Sequence, residues 1–384
     1  MSEVTVVGAG PVGLAAALAA RHHRLPVTVL EAHPEHRPRP GSRAIFVHRA
    51  TLDLLDAIDP GLGRTIAREG LIWRTRRTLW RGRPVHTRTY HGPADRIPFT
   101  SLPQTVVEDL LRTACHRAGA EICWDQPVTD IRTTPRAAEL ITAGGYCHRT
   151  RYVIAADGAR STLRTRLGIP LKGTTAPTGF AVADLTGEAG GLTPARVFHY
   201  RHPAAGGRNV LLVPFAGGWR VDVQCRDGQE AATWAATAAR WLPDLLPGAR
   251  PGDLSWSSAY RFHQKVAARF TDPHHRVLLA GEAAHLLPPF GARGMNSGIA
   301  DAVAAARAIA EATPQALAGC ARARHAAAHA NVRAAASALA HLQAARPLRR
   351  TTQHAAALLA PRVARAGRWL DRAPFGPPLH TVHY

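Results

Sequence analysis

Three glycines, Gly8, Gly10 and Gly13, follow a short β-branched stretch from Glu3 to Val7 and open an alanine- and leucine-rich segment. Gly-x-Gly-x-x-Gly between a strand and a helix does a defined chemical task. The first glycine permits the tight turn, the second lets a pyrophosphate approach the backbone, and the third allows close helix–strand packing. Glu31 ends the next apolar stretch, Val27 to Glu31. There a carboxylate can accept hydrogen bonds from an adenosine ribose. The free N–H groups at the start of the intervening helix add an anion site.

Two further segments carry polar groups at the ends of apolar runs. In Ala155-Ala156-Asp157-Gly158-Ala159-Arg160-Ser161 a strand ends at an acidic turn, and Ser161 is placed to cap a short helix. In the stretch from Ala280 to Gly298, Glu282 follows a strand, a Pro288-Pro289-Phe290-Gly291 loop comes next, and a helix opens near Met295. Such a loop can wrap a planar ligand, with the helix N-terminus stabilising negative charge. His285 lacks companions at metal-ligand spacing and reads as structural, and no metal is expected.

The elements that must position these groups follow from pattern. Strand 3–7, helix 11–23 with Pro11 in its first turn, and strand 27–31 form a βαβ unit. Residues 72–97 read as hairpin strands, Val106 to Ala118 as a helix, and 178–226 as antiparallel strands with Gly206-Gly207 and Gly217-Gly218 turns. Val277 to Ala280 reads as a buried strand, Gly294 to Ala312 as a helix, and Gln315 to Leu370 as helical with breaks at Pro347 and Pro361. The chain of 384 residues is 46% hydrophobic, suits two domains and contains no unbroken apolar run of membrane-spanning length. The formal charge of +21 is nearly all arginine spread along the chain, without a nucleic-acid reading module, so no nucleic-acid partner is expected. Five cysteines without a C-x-x-C pair exclude a disulfide framework. The acidic, strand-like N-terminus points to the cytoplasm.

Together these segments resemble the class A FAD-dependent monooxygenases, the para-hydroxybenzoate hydroxylase-like or phenol hydroxylase-like superfamily. Gly41-Ser42-Arg43-Ala44 and Leu102-Pro103-Gln104 also look familial, and the resemblance spans about residues 1–310. It implies an α/β fold: a Rossmann-like FAD-binding domain, an inserted, mostly antiparallel substrate sheet and a C-terminal helical segment. The expected division is 1–71, 98–172 and 264–312 for FAD, 73–97 and 173–263 for substrate, and 313–384 for the helical segment. Gly8, Gly10 and Gly13 would face the FAD pyrophosphate and Glu31 the ribose. The resemblance puts Arg43 and Gln104 along the pyrophosphate and ribityl chain, and Asp157 in the segment used for FAD and NAD(P)H. Glu282, where the family usually has aspartate, would lie near the ribityl hydroxyls, with Gly294, Met295 and Asn296 at the flavin's pyrimidine edge.

The implied activity uses NADPH or NADH and O2 to hydroxylate a phenolic or polyketide-like aromatic through a flavin hydroperoxide. Tyr200, Trp219 and Gln224 of the sheet, with Pro289 and Phe290 of the loop, are the expected substrate contacts. Phe180, Phe215 and Asp222 are further candidates, with Asp222 and Gln224 on one strand face. His86, Tyr90, His199 and Tyr200 are all open as a base. The partners expected are the substrate and O2, in a monomer or homodimer. Baeyer–Villiger, epoxidation or dehydrogenation chemistry on the same scaffold, and a non-catalytic flavin-binding or basic interaction protein, are the alternatives.

Overall fold

The computed structural model describes residues 2–39, 41, 44–94, 97–187 and 192–376. Two sheets organise it. In the first, five strands run parallel in the order Glu121–Cys123, Val27–Leu30, Ser2–Val7, Cys147–Ala155 and Val277–Leu279. Their apolar runs are unbroken because helices cover the sheet: Val4, Val6, Val29, Val153, Ile154 and Val277 are fully buried. Helix Pro11–His22 packs here through Gly13 to Ala20, a small-residue face that allows close approach. Ala138–Thr142 and Val128–Thr133 form an antiparallel meander on the start of Cys147–Ala155, on the same side of that strand as Val277–Leu279.

The second sheet has eight strands in the order His285–Leu286, Leu254–Ala267, Leu171–Thr186, Gly218–Gln224, Arg208–Phe215, Ala195–His202, Thr75–Trp80 and Arg83–Thr89. All neighbours are antiparallel except Ala195–His202 and Thr75–Trp80, which run parallel. The expected hairpin and strand run are therefore present, and the α/β class holds. Three elements carried no recognised sequence signal. These are strand Leu254–Ala267 and helices Gly228–Ala236 and Ala238–Leu245, which bury one face of this sheet.

The C-terminal part is helical, as expected. Helix Pro314–Gln343 ends just before Pro347, which begins the next helix, Pro347–Leu359, and Pro361 follows that one's end. Helix Pro314–Gln343 crosses toward the sheet, and Ala364–Arg372 returns to Thr75–Trp80. There Arg76 donates from Nε and Nη2 to the two carboxylate oxygens of Asp371. Both side chains are buried, and the pair clamps the end of the described chain to the sheet. No described helix is long and apolar enough to cross a membrane.

Candidate active site

The two sheets enclose a cavity of about 1110 Å³. One end is the glycine turn. Gly8 has φ +102°, and a side chain there would run into the Ala156 carbonyl. At Gly13 a Cβ would lie 1.8 Å from the Gly8 carbonyl oxygen, so helix and turn pack as closely as the motif requires. Gly10 differs: a Cβ there meets nothing within 4 Å, because the position opens on the cavity. It precedes helix Pro11–His22 without a side-chain cap, which leaves the first N–H groups free for an anion. Glu31 is buried beside this turn, accepting from the Ala9 N–H at 2.7 Å and the His33 N–H at 3.1 Å. Each oxygen retains acceptor capacity for a ribose hydroxyl.

A second helix start faces the same cavity. Ala292, at φ +52°, precedes helix Arg293–Glu311 without a side-chain cap. Gly294 and Met295 line the cavity, and a Cβ at Gly294 meets nothing within 4 Å. Two uncapped helix starts and two glycines opening on one elongated space fit a ligand with a pyrophosphate and a planar ring, as FAD has.

The other expected cofactor residues are distributed unevenly. Gln104 lines the cavity, accepting from the Ala44 N–H at 3.2 Å and donating to Glu108 at 2.8 Å. Glu282 lines it with an exposed side chain. Asp157 lines it too: Oδ2 accepts from the Leu163 N–H at 3.0 Å, while Oδ1 is buried without a hydrogen-bond partner among the described residues. Burial raises its pKa against the hydrogen bonds of Ser161 and Leu163. Ser161 caps the next helix through the Arg164 N–H, as its sequence position suggested. The side chain of Asn296 is turned away from the cavity. Its Oδ1 accepts from the His48 N–H and the Thr51 hydroxyl, and its Nδ2 donates to the Phe46 and Ala292 carbonyls. Asn296 thus stitches segment 46–51 to the loop. Arg43 lies outside the described residues.

The far wall is one face of the second sheet. Gln224, Pro289 and Phe290 line it as expected. Phe290 meets Phe180 and Phe262 edge-to-face at 5.8 and 5.2 Å, forming an apolar corner. Tyr200 and Trp219 are elsewhere. Strand alternation turns Trp219 to the opposite face, into the core formed with helices Gly228–Ala236 and Ala238–Leu245. Tyr200 is sealed under the C-terminal helices, donating to the Leu370 carbonyl at 2.8 Å and meeting His341 Nε2 at 2.8 Å. None of the base candidates His86, Tyr90, His199 and Tyr200 is among the residues lining this cavity.

Three ionisable groups line it with large shifts, and burial lowers the Arg196 guanidinium to about 9. Burial pushes the Asp222 carboxyl up to about 7, with Asp184 adding to the effect and Arg220 opposing it. Burial and the nearby Arg293 hold His48 down to about 4, so its imidazole is neutral at pH 7. The loop itself is fixed from behind. Asp301, fully enclosed, accepts from the Gly281 N–H at 3.2 Å, meets His285 Nε2 at 2.8 Å and accepts from Arg324 Nε at 2.7 Å. His285 is accordingly a structural residue. The three-way contact of Asp301 had no local sequence signal, since its partners lie on separate elements.

Comparison with known proteins matches this geometry. The family described as FAD binding domain matches residues 1–339. The chain is 30% identical over 326 residues to the para-nitrophenol 4-monooxygenase of a Pseudomonas species, covering 80% of this chain and 78% of that one. It is 30% identical over 321 residues to the rifampicin monooxygenase of Rhodococcus hoagii, covering 79% of this chain but spanning only 62% of that relative's length. Among solved structures, the p-nitrophenol 4-monooxygenase of Pseudomonas putida superimposes with a TM-score of 0.78 at 25% identity, covering 99% of both chains. The open glycine turn, the second uncapped helix start and these matches lead to one conclusion: the chain belongs to the FAD-binding domain family of class A flavoprotein monooxygenases, and its cofactor is FAD.

Proposed function

We propose that this protein is an FAD-dependent monooxygenase that uses NADPH or NADH and O2 to hydroxylate an aromatic small molecule, phenolic or polyketide-like. The observation that carries the reading is the continuity of the cavity. It runs from the open glycine turn to the aromatic corner of Phe180, Phe262 and Phe290 without an intervening wall. FAD, when bound, supplies the redox and oxygen-transfer chemistry.

The chain's own residues bind, orient and exclude water. The N–H groups after Gly10 hold the pyrophosphate, with Glu31 on the ribose and Gln104, Asp157 and Glu282 along the adjoining wall. Gly294 and Met295 offer backbone donors to the ring's negative edge. The phenylalanine corner with Pro289 keeps water from the reacting face. In this proposal, residues 1–71, 98–172 and 264–312 serve FAD, 73–97 and 173–263 serve substrate, and 313–384 is the C-terminal helical segment. A monomer or homodimer in the cytoplasm, where reduced nicotinamide is abundant, completes the reading.

The test is preparative and kinetic. The purified protein should be yellow and release FAD on denaturation, and phenols should raise its rate of NADPH oxidation. A chain that stays colourless at saturating FAD sinks the proposal.

A further inference from the structure

The apolar side chains left at the surface are gathered in one place. Among the described residues seven large hydrophobic side chains are exposed, and five of them, Leu348, Leu358, Leu359, Val363 and Trp369, lie on helices Pro347–Leu359 and Ala364–Arg372 and the turn between them. Scattered exposed leucines are ordinary, but a gathered set marks an interaction surface. Helix Pro347–Leu359 buries Gln353 and Ala357. Helical spacing puts Leu348, Ala355, Leu358 and Leu359 on the opposite face, with Thr351 and Thr352 and no charge among them.

Positive charge surrounds this stripe. Arg346, Arg349, Arg350, Arg362, Arg365, Arg368 and Arg372 are all exposed, and none forms an ion pair among the described residues. From Ala312 to Gly376 the sequence holds one acidic residue, Asp371, which is buried and bound to Arg76. On helix Ala364–Arg372, Gly367 and Leu370 face inward, while Arg365, Arg368, Trp369 and Arg372 are exposed. Against strand Arg83–Thr89 this helix borders a surface cleft of about 240 Å³, lined by His86, Thr87, Arg88, Arg368, Asp371 and Arg372. Burial lowers the pKa of His86; Asp371 opposes this, and Arg368, Arg76 and Arg88 reinforce it. With Asp371 already taken by Arg76, the cleft offers positive charge to a phosphate group.

We propose that this face docks the protein on the surface of a bilayer containing anionic phospholipid: the leucines, Val363 and Trp369 enter the boundary between headgroups and acyl chains, the arginines pair with headgroup phosphates, and the cleft at Arg368 and Arg372 seats one of them. Apolar insertion and cationic attraction are two signals that add, which is what stable peripheral binding requires. Tryptophan favours that boundary. A second copy fits poorly, because twofold pairing of this face would set its arginines against their own counterparts. A nucleic acid would meet the arginines and leave the leucine stripe in water. The chain stays on the surface, since no described helix is long and apolar enough to cross a membrane. None of the apolar or arginine side chains of this face lines the large cavity, so the docking is separate from the chemistry there.

The experiment is flotation of the FAD-loaded full chain with vesicles of phosphatidylcholine alone, or of phosphatidylcholine with about 30% phosphatidylglycerol. Partition to the anionic vesicles should be at least about tenfold stronger, and should fall several-fold when salt is raised to about 0.5 M. Leu348→Ser, Leu358→Ser and Leu359→Ser combined should weaken it about tenfold or more at unchanged charge. Arg365→Gln, Arg368→Gln and Arg372→Gln combined should weaken it at least as much. Arg132→Gln, Arg136→Gln and Arg149→Gln on the meander of the first sheet remove the same charge and should cost less than about threefold. FAD occupancy and the rate of NADPH oxidation should match the wild type in all three variants; where the leucine variant loses FAD, the two arginine variants decide. Equal binding to both vesicle types, no vesicle binding, equal losses from the two arginine variants, or a folded leucine variant that binds like the wild type overturns the proposal. Self-association that the leucine variant abolishes assigns the face to a second copy, and capture of duplex DNA without vesicle binding assigns it to nucleic acid; either result overturns it too.

Discussion

Gly10 and Gly13 are three positions apart and meet opposite surroundings. A methyl group at Gly13 is driven into the Gly8 carbonyl, whereas one at Gly10 projects into open cavity. Gly13→Ala should therefore destabilise the fold by about 3 kcal/mol. Gly10→Ala should leave the melting temperature of the FAD-free protein unchanged and weaken FAD about tenfold or more, because the methyl occupies the ground where backbone and pyrophosphate meet. Thermal melts and FAD titrations on the two variants separate these outcomes. Asp222 gives a pH test. Its carboxyl, ordinarily near 3.8, is raised to about 7 in the folded chain. Between those values the folded protein keeps a proton that the unfolded chain releases, so wild-type stability falls as pH rises through the window. Asp222→Asn removes that loss. Its advantage in melting should be absent near pH 4 and reach on the order of 2–4 kcal/mol by about pH 8. The glycines and Asp222 were legible in the sequence because each declares itself locally. Trp219 was not placed correctly, because alternation says which residues share a face but not which face meets the ligand. Trp219→Ala should behave as a core truncation, costing about 3–5 kcal/mol in a denaturant melt.

The elements that present the ligand groups are held by charge pairs spanning long sequence distances. Asp301 on helix Arg293–Glu311 ties Gly281 and His285 of the loop to Arg324 on helix Pro314–Gln343. Burial works to raise its pKa, and the Arg324 guanidinium, with the contact from His285, overcomes this and holds it below the ordinary value. Its contribution to stability is thus present above the unfolded carboxyl's range and is lost as pH falls through the folded pKa. Asp301→Ala should cost about 3–5 kcal/mol, since it leaves Arg324 buried and unpaired. FAD affinity should fall with it, because the loop before Gly294 loses its anchor. Denaturant melts with FAD titration check both effects. Such clamps are invisible to a local reading: an aspartate inside an alanine-rich helix carries no mark of partners on other elements. The same is true of Asp371, whose return to Arg76 closes the described chain onto the sheet. Helices Gly228–Ala236 and Ala238–Leu245 escaped notice for another reason. The first is alanine-rich and gives little contrast between its faces, and the second is only eight residues long with Pro243 inside it.

At the scale of the whole molecule, two sheets face each other across one cavity, and the chain crosses between them repeatedly. The cofactor half was legible because its glycine turn, acidic turn and loop keep a fixed order along the sequence. Of the substrate-binding part we propose, only the class of sheet was legible, since specificity there would depend on which side chains of many strands converge. The central claim is that FAD at the glycine end directs oxygen onto an arene at the sheet end. The most direct measurement is product mass after incubation of the FAD-loaded protein with NADPH, a phenol panel and oxygen-18 gas. The account predicts a hydroxylated product carrying one oxygen-18 atom, formed only when NADPH and the phenol are both present. NADPH oxidation that no phenol stimulates, with no oxygen-18 in any product, would contradict it.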